Sequence, residues 1–392
     1  MSQPFLPFAR PSITEREREA VLEVLDSGWL TTGPKVREFE TRFAEFVGAT
    51  HAVAVNSATS ALHLALEAIG VGPGDEVIVP TWTFAASAEV VVHCGATPVL
   101  VDVEPTTLNA SPAAVLNAIT ARTRAVIGVH FAGLPFDAVG LNADLQERGV
   151  VLIEDAAHAF PSRLPSGSRF AGTVGPIGAF SFYATKTITT GEGGMLVTDD
   201  AAIAARARVM SLHGISRDAW KRYSESGSWY YEIEEAGFKY NMTDLAAALG
   251  LVQLTRADEL LAARRELAAQ YATAITESGL HDLIELPTPE ADASHAWHLF
   301  VIRLRLDRIV VDRAAVMDGL RARGIGASVH FIPLHLHPYY RRVWGTVLED
   351  FPVATREYER VVSLPLWPGM TAEDVRRVVA ALEDILLAAR SV

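Results

Sequence analysis

Between residues 51 and 198 the chain carries seven short apolar runs rich in β-branched residues, and their spacing limits the fold more than any other feature. The runs fall at 51–55 (HAVAV), 76–80 (EVIVP), 97–103 (TPVLVDV), 123–130 (TRAVIGVH), 150–154 (VVLIE), 178–183 (GAFSFY) and 194–198 (GMLVT). Most are continuous rather than alternating, the pattern of strands buried on both faces. Helical segments such as 58–69 and 112–120 stand between several of them. The alternation predicts an α/β fold built on a mostly parallel sheet of about seven strands.

The flanks have their own signals. Thr14 followed by Glu17 forms a capping-box pattern, and Gly28 is placed to end that helix. Pro34 suits a first helical position, and Val36, Phe39, Phe43 and Phe46 recur at helical spacing until Gly48. The stretch 213–241 has no clean period and carries Trp220, Tyr223, Trp229, Tyr230, Tyr231, Phe238 and Tyr240. Long aperiodic segments inside compact domains are uncommon and are usually functional or mobile. A long helix is expected over 244–277, then a strand at 298–306 and a helix at 312–323 capped by Asp312. A last helix is expected from Thr371, with Asp374 three residues on, to about Arg390. A chain of 392 residues exceeds what one core usually serves, so two domains are expected, 1–255 and 256–392.

Composition narrows the function. A net charge of −13 opposes binding to nucleic acid or anionic lipid. No apolar stretch approaches the roughly 20 residues of a membrane span. The segment MSQPFLPFARPS lacks an export pattern, and Cys94 is the single cysteine, so a cytoplasmic enzyme without a thiolate metal cluster is expected. Neither a dinucleotide G-x-G-x-x-G between an early strand and helix nor a G-x-x-x-x-G-K-[ST] loop is present.

In an open parallel sheet, ligands bind beyond the carboxyl ends of the strands. Four places there carry chemistry. Asn56-Ser57-Ala58-Thr59-Ser60 opens a helix, where free N–H groups and the helix dipole suit a phosphate; an ordinary capped turn reads the same way. Asp155 ends VVLIED, where it could keep a pyridine nitrogen protonated, with His158 beside the same ring; a solvated acid and a satisfied histidine are the plain alternative. Lys186 follows the strand that holds Ser181 and precedes the glycine-rich Gly191-Glu192-Gly193-Gly194, an odd place for a merely solvating lysine. A lysine drawn into such a crevice loses proton affinity and becomes a nucleophile toward carbonyls. Trp82, in VPTWTFAAS, could stack on a flat ring or fill the core.

Together these places resemble the DegT/StrS-type sugar aminotransferases, a branch of the aspartate-aminotransferase superfamily of fold type I. The likeness runs through GWLTTGPKVREFE (28–40), GDEVIVPTWTFAAS (74–87), IEDAAHAF (153–160) and SFYATKTITTGEGGM (181–195). It continues through GFKYNMTDLAAALGLVQL (237–254), VHFIPLHLHPYYR (329–341) and SLPLWPGMT (363–371). The resemblance implies pyridoxal 5'-phosphate held as an internal Schiff base on Lys186, which would also move the α-proton. It implies Asp155 beneath the pyridine nitrogen, His158 beside the ring hydroxyl and Trp82 stacked on the ring. Ala58, Thr59 and Ser181 would cradle the phosphate. Asn241 would reach the phosphate of the other subunit, which implies a homodimer with shared sites. Thr31, Thr32, His330, Phe331, His335 and the aromatic stretch would meet the substrate.

The implied reaction is ping-pong. An amino acid, expected to be glutamate, leaves its amine as pyridoxamine phosphate, and a nucleotide-diphosphate keto-sugar takes it up. Relatives with histidine in place of the lysine dehydrate sugars, and Lys186 argues against that branch. Thr187 and Ala184 depart from the Asn and Pro common at those positions. The competing expectation is a non-catalytic regulator on the same fold.

Overall fold

The computed structural model describes residues 4–164, 167, 169–215, 231–287 and 295–390. All seven apolar runs form strands: β1 (His51–Val55), β2 (Glu76–Pro80), β3 (Thr97–Val101), β4 (Thr123–Val129), β5 (Val151–Asp155), β6 (Ile177–Ser181) and β7 (Gly194–Thr198). They make one sheet in the order β1-β7-β6-β5-β4-β2-β3. Five neighbouring strands from β6 to β3 run parallel, and β7 runs antiparallel to both β6 and β1.

Strand periodicity explains why these runs are apolar throughout. Val53 and Val55 of β1 pack with Leu62 and Leu66 of the helix Ala58–Ala68, whereas Ala52 and Ala54 pack with Phe39 and Phe43 of the helix Pro34–Val47. Both faces are therefore covered. Because β4, β5 and β6 are parallel and in register, Val129, Asp155 and Ala179 align, and the ends of these strands open on the same edge.

The helix signals are realised at their caps. Glu15–Ser27 begins with Thr14 and Glu17 in a capping box and ends at Gly28, whose φ of 71° suits a residue without Cβ. Arg313–Ala322 starts with the Asp312 side chain accepting from the Ala315 amide, and Ala372–Leu387 starts with the Thr371–Asp374 box. The expected helix over 244–277 is instead two, Asp244–Thr255 and Ala257–Glu277. The break falls at Arg256, whose guanidinium is drawn to the Glu17 carboxylate at 2.7 Å and to the Ser12 carbonyl at 3.2 Å. Sequence periodicity runs across such a break because it senses only neighbours.

A second sheet, in the order β10-β9-β8, is antiparallel: β8 (Ile284–Glu285), β9 (Phe300–Leu304) and β10 (Val361–Leu364). Its core gathers Tyr271, Phe300, Leu320 and Leu382 from this part of the chain, together with Leu6 from the N-terminal segment. Leu6 pairs by backbone hydrogen bonds with Gly324 and Gly326. Among the described residues, no helix is long and apolar enough to cross a membrane.

Candidate active site

The carboxyl ends of β4, β5 and β6 border a cavity of about 450 Å³, a size ordinary for a small-molecule site. Lys186, Asp155, His158, Ser181, Ala58 and Thr59 all line it, although they come from three separate stretches of sequence. The C-terminal part of the chain contributes His298, His330 and Phe331.

Asp155 ends β5 and is almost wholly buried. Its Oδ2 accepts from the Ser87 hydroxyl at 2.8 Å, and its Oδ1 accepts from the Ala157 amide at 3.1 Å. Burial pushes this carboxyl above its ordinary range, against the hydrogen bond from Ser87, the Ala157 amide and the charge of Lys186. Its neighbour Glu154 faces the other side of the sheet, as strand alternation requires. There it accepts from the amides of Gly172, Val174 and Gly175 and lies 2.8 Å from His130 Nε2, which pins the strand end in place.

Lys186 sits in the turn after β6, with its amide bonded to the Tyr183 carbonyl at 2.9 Å. Burial pulls its amine down to about 8, while the Asp155 charge raises it and the Arg264 charge lowers it further. Nζ lies 3.5 Å from Nε2 of His298. His158 accepts from the Ala132 amide at Nδ1, 3.3 Å away, which leaves its hydrogen on Nε2 as a donor. Burial, with the charge of Lys186 adding to it, holds His158 and His298 well below their ordinary range, so both rings are neutral.

The phosphate-binding expectation meets a specific geometry. Ser57 caps the helix Ala58–Ala68 by accepting from the Ser60 amide, at 3.1 Å, and the same turn forms one wall of the cavity. A Cβ on Gly194 would lie 2.4 Å from the Ser57 carbonyl and 2.6 Å from the Ala58 nitrogen, so only glycine lets β7 approach this turn so closely. An anion cradle, a buried carboxylate, a neutral-imidazole donor and a weakly basic amine thus surround one cavity. That set fits the pyridoxal phosphate implied by the sequence resemblance.

Two expectations need correction. Trp82 does not reach the cavity; it is fully buried, edge-on to Phe131 with centroids 6.1 Å apart, in a cluster with Val103 and Leu108. Phe84, 61% exposed, lines the cavity two residues later, because the chain turns after Pro80 and spends the larger indole on the core. His335 is also fully buried, bonded to the hydroxyls of Thr81 at 2.8 Å and Thr355 at 3.0 Å, and serves packing. Neither Thr31 nor Thr32 borders the cavity of its own chain; Thr32 donates to the Met242 carbonyl at 2.6 Å and accepts from Asn241 at 2.7 Å. Asn241 stands with Thr32 outside that cavity. Phe331 does line it, stacked on His158 at 5.6 Å. Trp220, Tyr223, Trp229 and Tyr230 lie outside the described residues.

Sequence reasoning missed His298, Ser87 and Phe84. Phe84 carried a signal, since it shares the strand-end segment with Trp82. His298 stands just before β9, far from Lys186 in sequence, and no local pattern marks it.

A model of the DegT/DnrJ/EryC1/StrS aminotransferase family matches residues 11–383. The spore coat polysaccharide biosynthesis protein SpsC of Bacillus subtilis (strain 168) is 49% identical over 383 residues, covering 97% of each chain. The PMP-form of the putative sugar aminotransferase Spr1654 from Streptococcus pneumoniae superposes with a TM-score of 0.89 at 32% identity, covering 97% of this chain and 98% of that one. Helicobacter pylori PseC, an aminotransferase involved in the biosynthesis of pseudoaminic acid, gives 0.90 at 26% identity, covering 98% and 100%.

Proposed function

The chain belongs to the DegT/DnrJ/EryC1/StrS aminotransferase family, and from that premise we propose that it is a pyridoxal-phosphate enzyme moving an amino group from glutamate to a nucleotide-diphosphate keto-sugar. One observation carries this reading. A buried lysine amine of lowered basicity opens on the same cavity as a buried carboxylate and the first turn of a helix. The solved Spr1654 structures, described as sugar aminotransferases in PMP- and PLP-forms, support the cofactor and the sugar class. SpsC, by its name a polysaccharide biosynthesis protein, supports a carbohydrate product.

Bound pyridoxal phosphate supplies an aldehyde that condenses with amines and a ring that withdraws electrons from the neighbouring carbon. The protein does the rest. Lys186 Nζ holds the group and then takes up and returns a proton at that atom, which its low basicity permits near neutral pH. Asp155, with a raised proton affinity of its own, would hold the ring nitrogen and share a proton with it. Ser87 orients the carboxylate, and His158 Nε2 donates to a ring oxygen. The amides of Ala58 and Thr59, with the Ser181 hydroxyl, take the phosphate. Phe84 and Phe331, on the cavity wall, would exclude water from the bound ring.

Residues 1–255 form the cofactor-binding unit in this reading, and 256–392 the smaller unit that borders the cavity. Asn241, Thr31 and Thr32 then serve the site of a partner in a homodimer, consistent with their place outside the cavity of their own chain. The enzyme works in the cytoplasm, where a lone Cys94 needs no oxidising compartment.

The test is covalent. Purified protein is incubated with pyridoxal phosphate, reduced with borohydride and digested, and the adduct should fall on the peptide containing Lys186. A panel of keto-sugar nucleotides is then assayed with glutamate. An unlabelled Lys186 peptide refutes the cofactor role, and labelling without turnover of any sugar refutes the substrate class.

A further inference from the structure

Arg264 lies on the helix Ala257–Glu277 and is 2% exposed, yet among the described residues no carboxylate pairs with it. A buried guanidinium without a counter-charge is costly, so its placement needs a reason. Its hydrogen bonds go to backbone carbonyls instead. Nη1 donates to Trp297 at 3.2 Å, His298 at 3.4 Å and Leu366 at 3.0 Å, and Nη2 donates to Thr185 at 3.3 Å. Two of these acceptors adjoin the chemistry: Thr185 precedes Lys186, and His298 is the residue whose ring meets the Lys186 amine.

We propose that Arg264 is a positioning residue for Lys186, its forked guanidinium fixing the turn that carries the amine and the segment that carries His298 in one rigid unit. The inference rests on the cofactor reading given above. A planar fork holds carbonyls from three separate segments through two nitrogens in a fixed geometry, whereas a lysine presents its three donors from one point on a flexible stem. Nε of Arg264 has no partner, so the group is aligned for the carbonyls rather than for its own full satisfaction.

The charge has a second effect. The titratable and charged groups around the Lys186 amine are Asp155 at the end of β5, His158 in the turn after it, His298 before β9, His330 beyond the helix Arg313–Ala322, Glu192 and Tyr183 on the cavity wall, and Arg264. Arg264, behind the turn, is the fixed cation of that set and opposes Asp155. With the arginine present, an amine beside a carboxylate still releases its proton readily.

The experiment uses holoenzyme of the parent, Arg264→Gln and Arg264→Lys. The visible band of the bound cofactor is titrated with pH, and turnover is measured separately. Arg264→Gln should move the midpoint of the band upward by about one pH unit, as expected for removal of one buried charge. Arg264→Lys keeps the charge and should leave the midpoint in place, while kcat falls about tenfold and the donor KM changes little, the sign of a loosened reacting group. A soluble Arg264→Gln variant with the parental midpoint overturns the electrostatic half. Should that variant not fold, an Arg264→Lys variant with parental kcat overturns the positioning half. A parent that shows no band and no borohydride adduct at Lys186 defeats the cofactor reading itself, which separates the two failures.

Discussion

The Nζ of Lys186 and the Nε2 of His298 lie 3.5 Å apart, although 112 positions separate them in sequence. His298 is buried and kept neutral, and its Nδ1 has no partner. A neutral imidazole there can accept from the ammonium form of the lysine and so steady the amine between proton transfers. Replacing His298 with Phe should leave the fold intact, keep the borohydride adduct at Lys186 and lower kcat by roughly tenfold to a hundredfold. Unchanged kcat would show that the contact is only packing.

Asp155 accepts from Ser87 at 2.8 Å, and Ser87 in turn meets the Thr83 hydroxyl at 2.8 Å. Asp155→Asn removes the charge and should cost about a hundredfold or more in turnover. Ser87→Ala leaves the charge and removes one hydrogen bond, so the loss should be about tenfold, near 1.5 kcal/mol. Steady-state kinetics of both variants check the ranking; a Ser87→Ala loss equal to that of Asp155→Asn would mean that the serine does more than orient.

Trp82 and Phe84 should separate stability from binding. Trp82→Ala empties a packed core and should cost about 3–5 kcal/mol of stability. Phe84→Ala removes an exposed ring at the cavity and should leave the melting temperature nearly unchanged. Cofactor affinity should fall about tenfold in Phe84→Ala, the scale of one aromatic contact. Calorimetry and cofactor titration of the two variants give the crossed result, and the opposite crossing would return the stacking role to Trp82.

Much of this architecture is legible in the sequence, and for a physical reason. Strands buried on both faces must be apolar at every position, so β1 to β7 stand out as continuous runs, and Asp155 is conspicuous as the acid that ends one of them. Lys186 is conspicuous for the same reason, as a cation between a buried strand and a glycine-rich turn. What the sequence hides is long-range. Periodicity continues through Arg256 because the force that breaks the helix there comes from Glu17 and Ser12. Trp82 and Phe84 are both aromatic and both follow a strand, and only the path of the chain after Pro80 decides which one meets the cavity. His298 and Arg264 reach the lysine from far along the chain, and no local pattern encodes a meeting across that distance.

Gly194 offers a steric test of the anion cradle. A Cβ there would lie 2.4 Å from the Ser57 carbonyl, against backbone that has little room to move. Gly194→Ala should push the first turn of the helix Ala58–Ala68 away from β7 and misalign its free amides. Phosphate-bearing cofactor should then bind roughly tenfold more weakly, about 1.5 kcal/mol for one lost charge-assisted hydrogen bond. Pyridoxal without its phosphate should be affected far less, and equal weakening of both compounds would place the phosphate elsewhere.

The depressed basicity of Lys186 sets two pH dependences. Burial lowers the amine to about 8, so it is protonated below that pH and neutral above it. Only the neutral amine condenses with an aldehyde, so capture of the cofactor by cofactor-free protein should speed up with rising pH and level off above about 8. The unfolded chain holds the same proton up to about 10.4, the ordinary lysine value. Between those limits the unfolded state binds more protons, so the cofactor-free protein should gain stability as pH rises through this window and lack that gain below about 8. Lys186→Met removes the titrating group and should flatten this part of the stability curve. Stopped-flow capture rates and denaturant unfolding of the parent and Lys186→Met across this range check both. A capture rate that keeps climbing toward the ordinary lysine range would mean that the amine is far more exposed to water than its burial implies.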